Sequence, residues 1–269
     1  MLENPTKFQE REKMVEVEEI LKRKRETIEK LKQRRSIKEA ISATKKAGNR
    51  PVIAEVKRRG LKEGEEAVEI EAAEAATQMK KGGACAISVL TDEAFSGSLG
   101  DLKTVKLSAD LPVLRKDFIF DDFQVYESYA YGANAILLIA RFLSAERLNE
   151  LAKMASSLGM ESLIEIDSES KDKIFDADLD LPGIASASLI GINNRDLNTF
   201  EVNLATFEKT APVVKPQLPA DVPLVAMSGI DSKEDARRML DAGADALLVG
   251  TSIMNAGDIE QKVKGFVNI

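Results

Sequence analysis

Short apolar runs recur along this chain at a regular beat, separated by amphipathic stretches. Four of them read KGGACAISVLT (81–91), YGANAILLIA (131–140), LGMESLIEID (158–167) and AGADALLVGT (242–251). Each carries a glycine near its start, which suits the left-handed residue that ends a helix. The run that follows suits a strand buried on both faces, as in a parallel sheet. Four further runs lack the leading glycine: PVIAEVKR (51–58), LPVLRKDF (111–118), SLIGINN (188–194) and PLVAMSG (223–229). Together they predict eight strands, with enough chain between neighbours for a helix and two loops.

The intervening segments have helical spacing. EEAVEIEAAEAATQMKK (65–81), SAERLNELAKMASS (144–157) and SKEDARRMLDA (232–242) are the clearest. Ser144 and Ser232 stand at N-cap positions, and Asp235 three residues after Ser232 completes a capping-box pattern. Alternating strands and helices imply a parallel sheet with right-handed crossovers. Eight such units favour an α/β fold of the (β/α)₈ TIM-barrel type over an open doubly wound sheet. The absence of a GxGxxG fingerprint after the first strand points the same way.

The first 48 residues break the beat. Residues 10–35 are highly charged and helical in composition, with Val17, Ile20, Leu21, Ile28 and Leu31 spaced near three and four. We read residues 1–48 as an N-terminal helical extension packed on the barrel and 49–269 as the barrel itself. Glutamates interleave with the lysines and arginines, which argues against a basic arm for nucleic acid.

Composition removes several chemistries. The 269 residues contain no histidine and one cysteine, Cys85, so a Ser-His-Asp triad, a His/Cys zinc site and an intrachain disulfide are all excluded. A net charge of −7 disfavours nucleic-acid binding. No apolar run approaches the roughly 18 residues of a membrane span, and the charged N-terminus is unlike a secretory signal. A cytoplasmic protein without a membrane partner is expected.

Polar groups then stand out where barrel strands should be apolar. Glu55 and Lys57 lie on the first strand, Lys116 and Asp117 end the third, Glu165 lies in the fifth, Asn193 and Asn194 end the sixth, and Ser228 follows the seventh. Barrel enzymes carry their active sites at the strands' C-terminal ends. Residues two apart share a side, so Glu55 goes with Lys57 and Lys116 with Phe118. Lys57, Lys116 and Glu165 facing inward would put two ammonium groups and a carboxylate in one cavity, suited to acid–base work. Glu55 pairing with Lys57, or Lys116 with Asp117, as plain structural ion pairs is the competing reading. MSGI (227–230) and LVGTSI (248–253) each place a glycine and a small hydroxyl residue at a strand-to-helix junction. That is the chemistry of a phosphate seat.

These residues give the chain its resemblance to the indole-3-glycerol phosphate synthase family. The matching stretches are IAEVKR (53–58), SVLTDEAFSGSLGDL (88–102), LPVLRKDFI (111–119), GANAILLIA (132–140), LIEI (163–166), GINNRDLNTFEV (191–202), SGI (228–230) and LVGTSIM (248–254). The resemblance implies ring closure of 1-(2-carboxyphenylamino)-1-deoxyribulose 5-phosphate with loss of CO₂ and water, in tryptophan biosynthesis, without a cofactor. It implies Lys116 as general acid and Glu165, assisted by Lys57, in the dehydration, with Glu55 and Asn193 orienting them. Phe95, Phe118, Leu137, Leu197 and Leu248 would wall the aromatic ring, and Arg195 would stand at the mouth. Ser228, Gly229, Gly250 and Thr251 would hold the phosphate.

Three departures from the family pattern are visible. The family's Ser-Pro-Ser loop after the first strand is replaced by RRGLKEG (58–64), leaving Gly60 to offer a backbone N–H and Lys62 a charge. The family's glutamate before the seventh-strand Ser-Gly is Met227. The loop between Asp92 and Phe95 is one residue short. Two rival readings therefore stay open: an aldolase-type barrel forming a Schiff base on Lys116, and a barrel that binds a phosphorylated ligand without turnover. The second could equally serve as a scaffold; the partner expected for the leading reading is a phosphorylated small molecule, and nothing calls for more than a monomer or a weak homo-oligomer.

Overall fold

The computed structural model describes residues 5–58, 70–167, 169–170 and 187–269. Eight parallel strands close into a barrel in sequence order, each hydrogen-bonded to the next and β8 to β1. They are β1 (Val52–Val56), β2 (Ala86–Leu90), β3 (Val113–Lys116), β4 (Ala135–Ile139), β5 (Glu161–Ile166), β6 (Leu189–Asn193), β7 (Leu224–Met227) and β8 (Ala246–Val249). All eight fall inside the runs read from the sequence. The leading glycines Gly83, Gly132, Gly159 and Gly243 all have positive φ, between 72° and 106°. They end helices where a side chain would be strained.

Two helices, α1 (Pro5–Lys32) and α2 (Ile37–Lys46), precede β1. Around the barrel follow α3 (Ala72–Lys81), α4 (Leu99–Ala109), α5 (Asp122–Ala130), α6 (Ala145–Ser157), α7 (Ala205–Val214), α8 (Lys233–Asp241), the single turn α9 (Thr251–Met254) and α10 (Ile259–Val267). Ser144 caps α6 by accepting from Arg147 N, and Ser232 with Asp235 forms a full capping box on α8. No helix among the described residues is long and apolar enough to cross a membrane.

Side-chain alternation divides the core in two. Val52, Ala54 and Val56 pack outward against the helices, while Ile53 points inward with Leu114, Leu137, Leu163, Val225 and Leu248. Each fully buried aliphatic side chain contributes about 1.5–3 kcal/mol of transfer free energy. Ile37 and Ile41 of α2 belong to this inner cluster and close the end of the barrel away from the strands' C-termini. The sequence at that end makes the closure polar as well as apolar. Glu161, first residue of β5, accepts from Ser36 Oγ at 2.5 Å and from Ile37 N at 2.6 Å, at the N-terminus of α2. Burial raises its carboxyl above the usual range even so.

The extension departs from expectation along α1. Val17, Ile20, Leu21 and Ile28 are exposed rather than packed. Leu31 reaches the barrel's outer helices, with its Cδ2 2.9 Å from where a Cβ on Gly132 would stand. An amphipathic pattern specifies that a helix has an apolar face, not what covers it.

The chain between α1 and α2 is pinned by a buried lysine. Lys106 Nζ donates to Gln33 O at 2.7 Å and to Asn134 Oδ1 at 3.0 Å. Burial, then Arg34 and Arg35, push its pKa down to about 8 from 10.5. Below pH 8 Lys106 is charged in both folded and unfolded chains, and the fold carries the full cost of burying it. Between pH 8 and 10.5 the unfolded chain binds more protons, so stability rises with pH. Urea melts at pH about 7 and about 10 test this. The parent gains stability relative to Lys106→Met at the higher pH, whereas an unchanged difference contradicts the assignment.

Candidate active site

The strands' C-terminal ends surround a cavity of about 950 Å³. It is lined by Glu55, Lys57, Lys116, Glu165 and Asn193 together with Ser228, Gly229, Gly250 and Thr251. The inward alternation that buries Ile53 also directs Glu55 and Lys57 into it; the alternation that buries Leu163 and Leu189 directs Glu165 and Asn193.

Glu55 is 5% exposed and accepts from Ser88 Oγ at 3.3 Å, across the β1–β2 pairing that sets Glu55 opposite Ser88. Lys116 Nζ lies 4.0 Å from Glu55 Oε2. The pairing of Lys116 with Asp117 that the sequence left open does not form. Asp117 instead takes Arg115 at 2.9 Å and Thr91 Oγ1 at 2.5 Å. Lys116 thus keeps its ammonium for the cavity. Lys57 Nζ reaches Thr251 Oγ1 at 3.5 Å, where the neighbouring strands β1 and β8 end.

Glu165 is the most enclosed charge. It is 2% exposed, its Oε1 accepts from Asn193 Nδ2 at 2.8 Å, and its buried Oε2 has no hydrogen-bond partner among the described residues. Burial pushes its carboxyl above the usual carboxylate range, against the pull of Lys116 and of the Asn193 hydrogen bond, while Asp167 and Glu55 add to the rise. Asn193 is oriented in turn by Arg195 N, which donates to its Oδ1 at 2.9 Å. The result is a carboxyl of raised proton affinity with one bare oxygen beside an ammonium group. That combination can exchange a proton with a bound molecule.

The apolar part of the lining holds Phe95, Phe118, Leu197, Met227 and Leu248. Met227 is 1% exposed and its Sδ sits 2.4 Å from where a Cβ on Gly191 would stand, so the thioether fills a gap left by that glycine. Leu137 does not line the cavity. It lies below the floor in the inner core, and Ile139, two residues on and opposite Glu165 in the β4–β5 register, is the β4 residue that reaches the space. Gly60 and Lys62 lie outside the described residues.

The loop between β6 and α7 supplies lining residues that sequence reasoning missed, Phe200 and Val202 among them. Arg195 bridges to Val202 and its Nη1 donates to Phe200 O at 2.8 Å, folding residues 195–202 into a tight hairpin over the mouth. Phe200 has φ of 58°, a turn conformation without a residue-type signal in this sequence.

After β7, Ser228 and Gly229 are consecutive left-handed residues, with φ of 67° and 74°. Neither the Gly229 nor the Ile230 N–H has an acceptor among the described residues. After the neighbouring strand β8, Gly250 precedes α9, and the absence of a side chain there makes room for Glu55, whose Oε1 would lie 2.6 Å from an added Cβ. Bare N–H groups beside a helix start form a seat for an anion.

Comparison with known proteins agrees with this geometry. Residues 6–266 match the sequence model of the indole-3-glycerol phosphate synthase family. The indole-3-glycerol phosphate synthase of Desulfosudis oleivorans is 44% identical over 78% of this chain and 76% of its own. That of Chloroherpeton thalassium is 38% identical over 90% of this chain and 96% of its own. Among solved structures, thiamine phosphate pyrophosphorylase from Pyrococcus furiosus superposes with a TM-score of 0.55 at 18% identity, over 81% of this chain and 93% of its own, a likeness of fold alone. With a match over nearly the whole chain and relatives near 40% identity, this chain belongs to the indole-3-glycerol phosphate synthase family.

Proposed function

We propose that this chain closes the indole ring: it converts 1-(2-carboxyphenylamino)-1-deoxyribulose 5-phosphate to indole-3-glycerol phosphate, releasing CO₂ and water, in tryptophan biosynthesis. One observation carries the reading. Lys116, Lys57 and Glu165 line a single cavity together with Ser228, Gly229, Gly250 and Thr251, which we read as its anion seat.

The chemistry needs proton transfers and charge stabilisation only. The ring carbon bearing the carboxylate attacks the ketone carbon, and Lys116 protonates the ketone oxygen as the new C–C bond forms. The carboxylate departs as CO₂, and the electrons of its bond restore the aromatic ring. The resulting hydroxyl then leaves as water while the adjacent carbon gives up a proton. Glu165 and Lys57 serve these last transfers, with the bare Oε2 of Glu165 as the exchanging atom. Glu55 and Asn193 hold Lys116 and Glu165 in place. Phe95, Phe118, Leu197, Leu248 and Met227 receive the aromatic ring, Ile139 replaces Leu137 in that wall, and Arg195 faces the entrance. This acid–base scheme needs no cofactor. We infer that the protein works in the cytoplasm as a monomer or a weak homo-oligomer. Its net charge of −7 supports the absence of a nucleic-acid partner.

Two measurements test the reading. Purified protein incubated with the carboxyphenylamino substrate should develop indole fluorescence, and a flat trace would remove the proposal. Gly250→Ala should lower kcat/KM about 100-fold, because its methyl group forces the buried Glu55 side chain out of position. Activity equal to the parent's would show that Glu55 does not set the geometry.

A further inference from the structure

Asn194 follows Asn193 in sequence, but the pleat turns its side chain to the opposite side of the barrel wall. There it is 1% exposed, with its Nδ2 also 3.5 Å from Met239 Sδ of α8. Its Nδ2 donates to Ser228 O at 3.1 Å, and its Oδ1 accepts from Phe207 N at 3.0 Å. Phe207 N belongs to the first turn of α7, a helix whose own N-cap residue, Leu204, offers no side-chain acceptor. One amide therefore ties three elements together: the end of β6, the start of α7 and the loop that leaves β7.

The bond to Ser228 O has a particular consequence. Ser228 is held at φ of 67°, a left-handed conformation that is strained for a non-glycine residue. Gly229 continues the turn at φ of 74°, and Val202 Cγ1 stands only 2.2 Å from where a Cβ on Gly229 would be. Strain of this kind persists only where the surroundings fix it. The carbonyl of Ser228 is occupied by Asn194, while the next two N–H groups, of Gly229 and Ile230, have no acceptor among the described residues and border the cavity.

We propose that Asn194 is a positioning residue for the phosphate seat: by gripping the Ser228 carbonyl behind the barrel wall, it keeps the Gly229 and Ile230 N–H groups available to the substrate's phosphate. The inference rests on reading this side of the cavity as the phosphate seat. Asn194 itself touches no substrate and acts through the Ser228–Gly229 peptide.

Asn194→Asp isolates the effect. It preserves size and the acceptor for Phe207 N, but replaces the donor facing Ser228 O with an oxygen. Losing that bond raises KM and weakens competitive inhibition by inorganic phosphate by the same factor, about tenfold to a hundredfold, while kcat stays within a few-fold of the parent. Asn194→Ser, which keeps a donor, is the variant to measure if the aspartate does not fold; it should retain more phosphate affinity than Asn194→Ala. A fall in melting temperature with KM and phosphate inhibition unchanged would mean a purely structural role and overturn the inference. So would a loss confined to kcat. A parent enzyme that neither turns over the substrate nor binds phosphate would instead overturn the proposed function.

Discussion

Lys116→Ala removes ring closure altogether, by at least the 10²–10⁴-fold typical of a lost general acid. The attack of an aromatic carbon on a ketone is uphill unless the developing alkoxide is protonated as it forms. Lys116 is the cation that borders the cavity at the end of β3, held against Glu55 at 4.0 Å, while Asp117 is engaged by Arg115 on the other side of the strand. An alanine leaves that oxygen without its donor and leaves Glu55 without its counter-ion. The fold should survive, because Lys116 is partly exposed at the mouth rather than part of the packed core. Steady-state fluorescence with the variant checks this, and residual activity within tenfold of the parent would remove Lys116 from the mechanism. The same residue separates the main reading from the Schiff-base alternative. Borohydride with a carbonyl substrate should leave no adduct on Lys116, since the proposed role is proton transfer without a covalent bond.

Glu165→Gln trades activity for stability. The folded protein raises the carboxyl's pKa above its ordinary value of 4.5, chiefly through burial. Between 4.5 and that raised value the folded chain binds more protons than the unfolded one. Stability therefore falls as pH rises through this window, and above the raised value the full penalty remains. A neutral glutamine removes the buried charge and still offers an Oε1 to Asn193. The variant should lose about 10²–10⁴-fold in kcat while melting higher than the parent once the pH exceeds that raised value. Its thermal advantage should vanish below pH about 4.5, where the parent's carboxyl is protonated in both states. A lower melting point for the variant at every pH would show that the Glu165 charge is compensated better than its bare Oε2 indicates. The parent's kcat/KM should show an acid limb at a pH above the ordinary carboxyl range, and the glutamine variant should lack that limb.

What could be read from the sequence follows from period and type. Strands buried on both faces leave runs such as AILLI of β4 and LIGIN of β6, and their order forces the barrel. Charges inside such runs mark the site, because burying Glu55 or Glu165 without a purpose is costly. Period two gives the face of a residue but not its depth. Leu137 and Ile139 both point inward, and only the stagger of β4 against β5 decides that Ile139 meets the cavity. Phe200 and Val202 were invisible for a different reason: they belong to a hairpin set by Arg195 and Asp196 hydrogen bonds, without periodicity. The apolar stripe of α1 announced a contact that Leu31 makes and Val17, Ile20, Leu21 and Ile28 do not. Asn194 looked like one more polar strand end, and only its partners reveal that it serves the opposite side of the wall.

The account turns on one ligand spanning the cavity, and a crystal structure with indole-3-glycerol phosphate bound tests that most directly. The phosphate should lie against Ser228, Gly229, Gly250 and Thr251, with the indole ring between Phe118 and Leu248 and within reach of Lys116 and Glu165. A product bound with its phosphate elsewhere, or with Lys116 and Glu165 out of contact with it, would contradict the proposed mechanism.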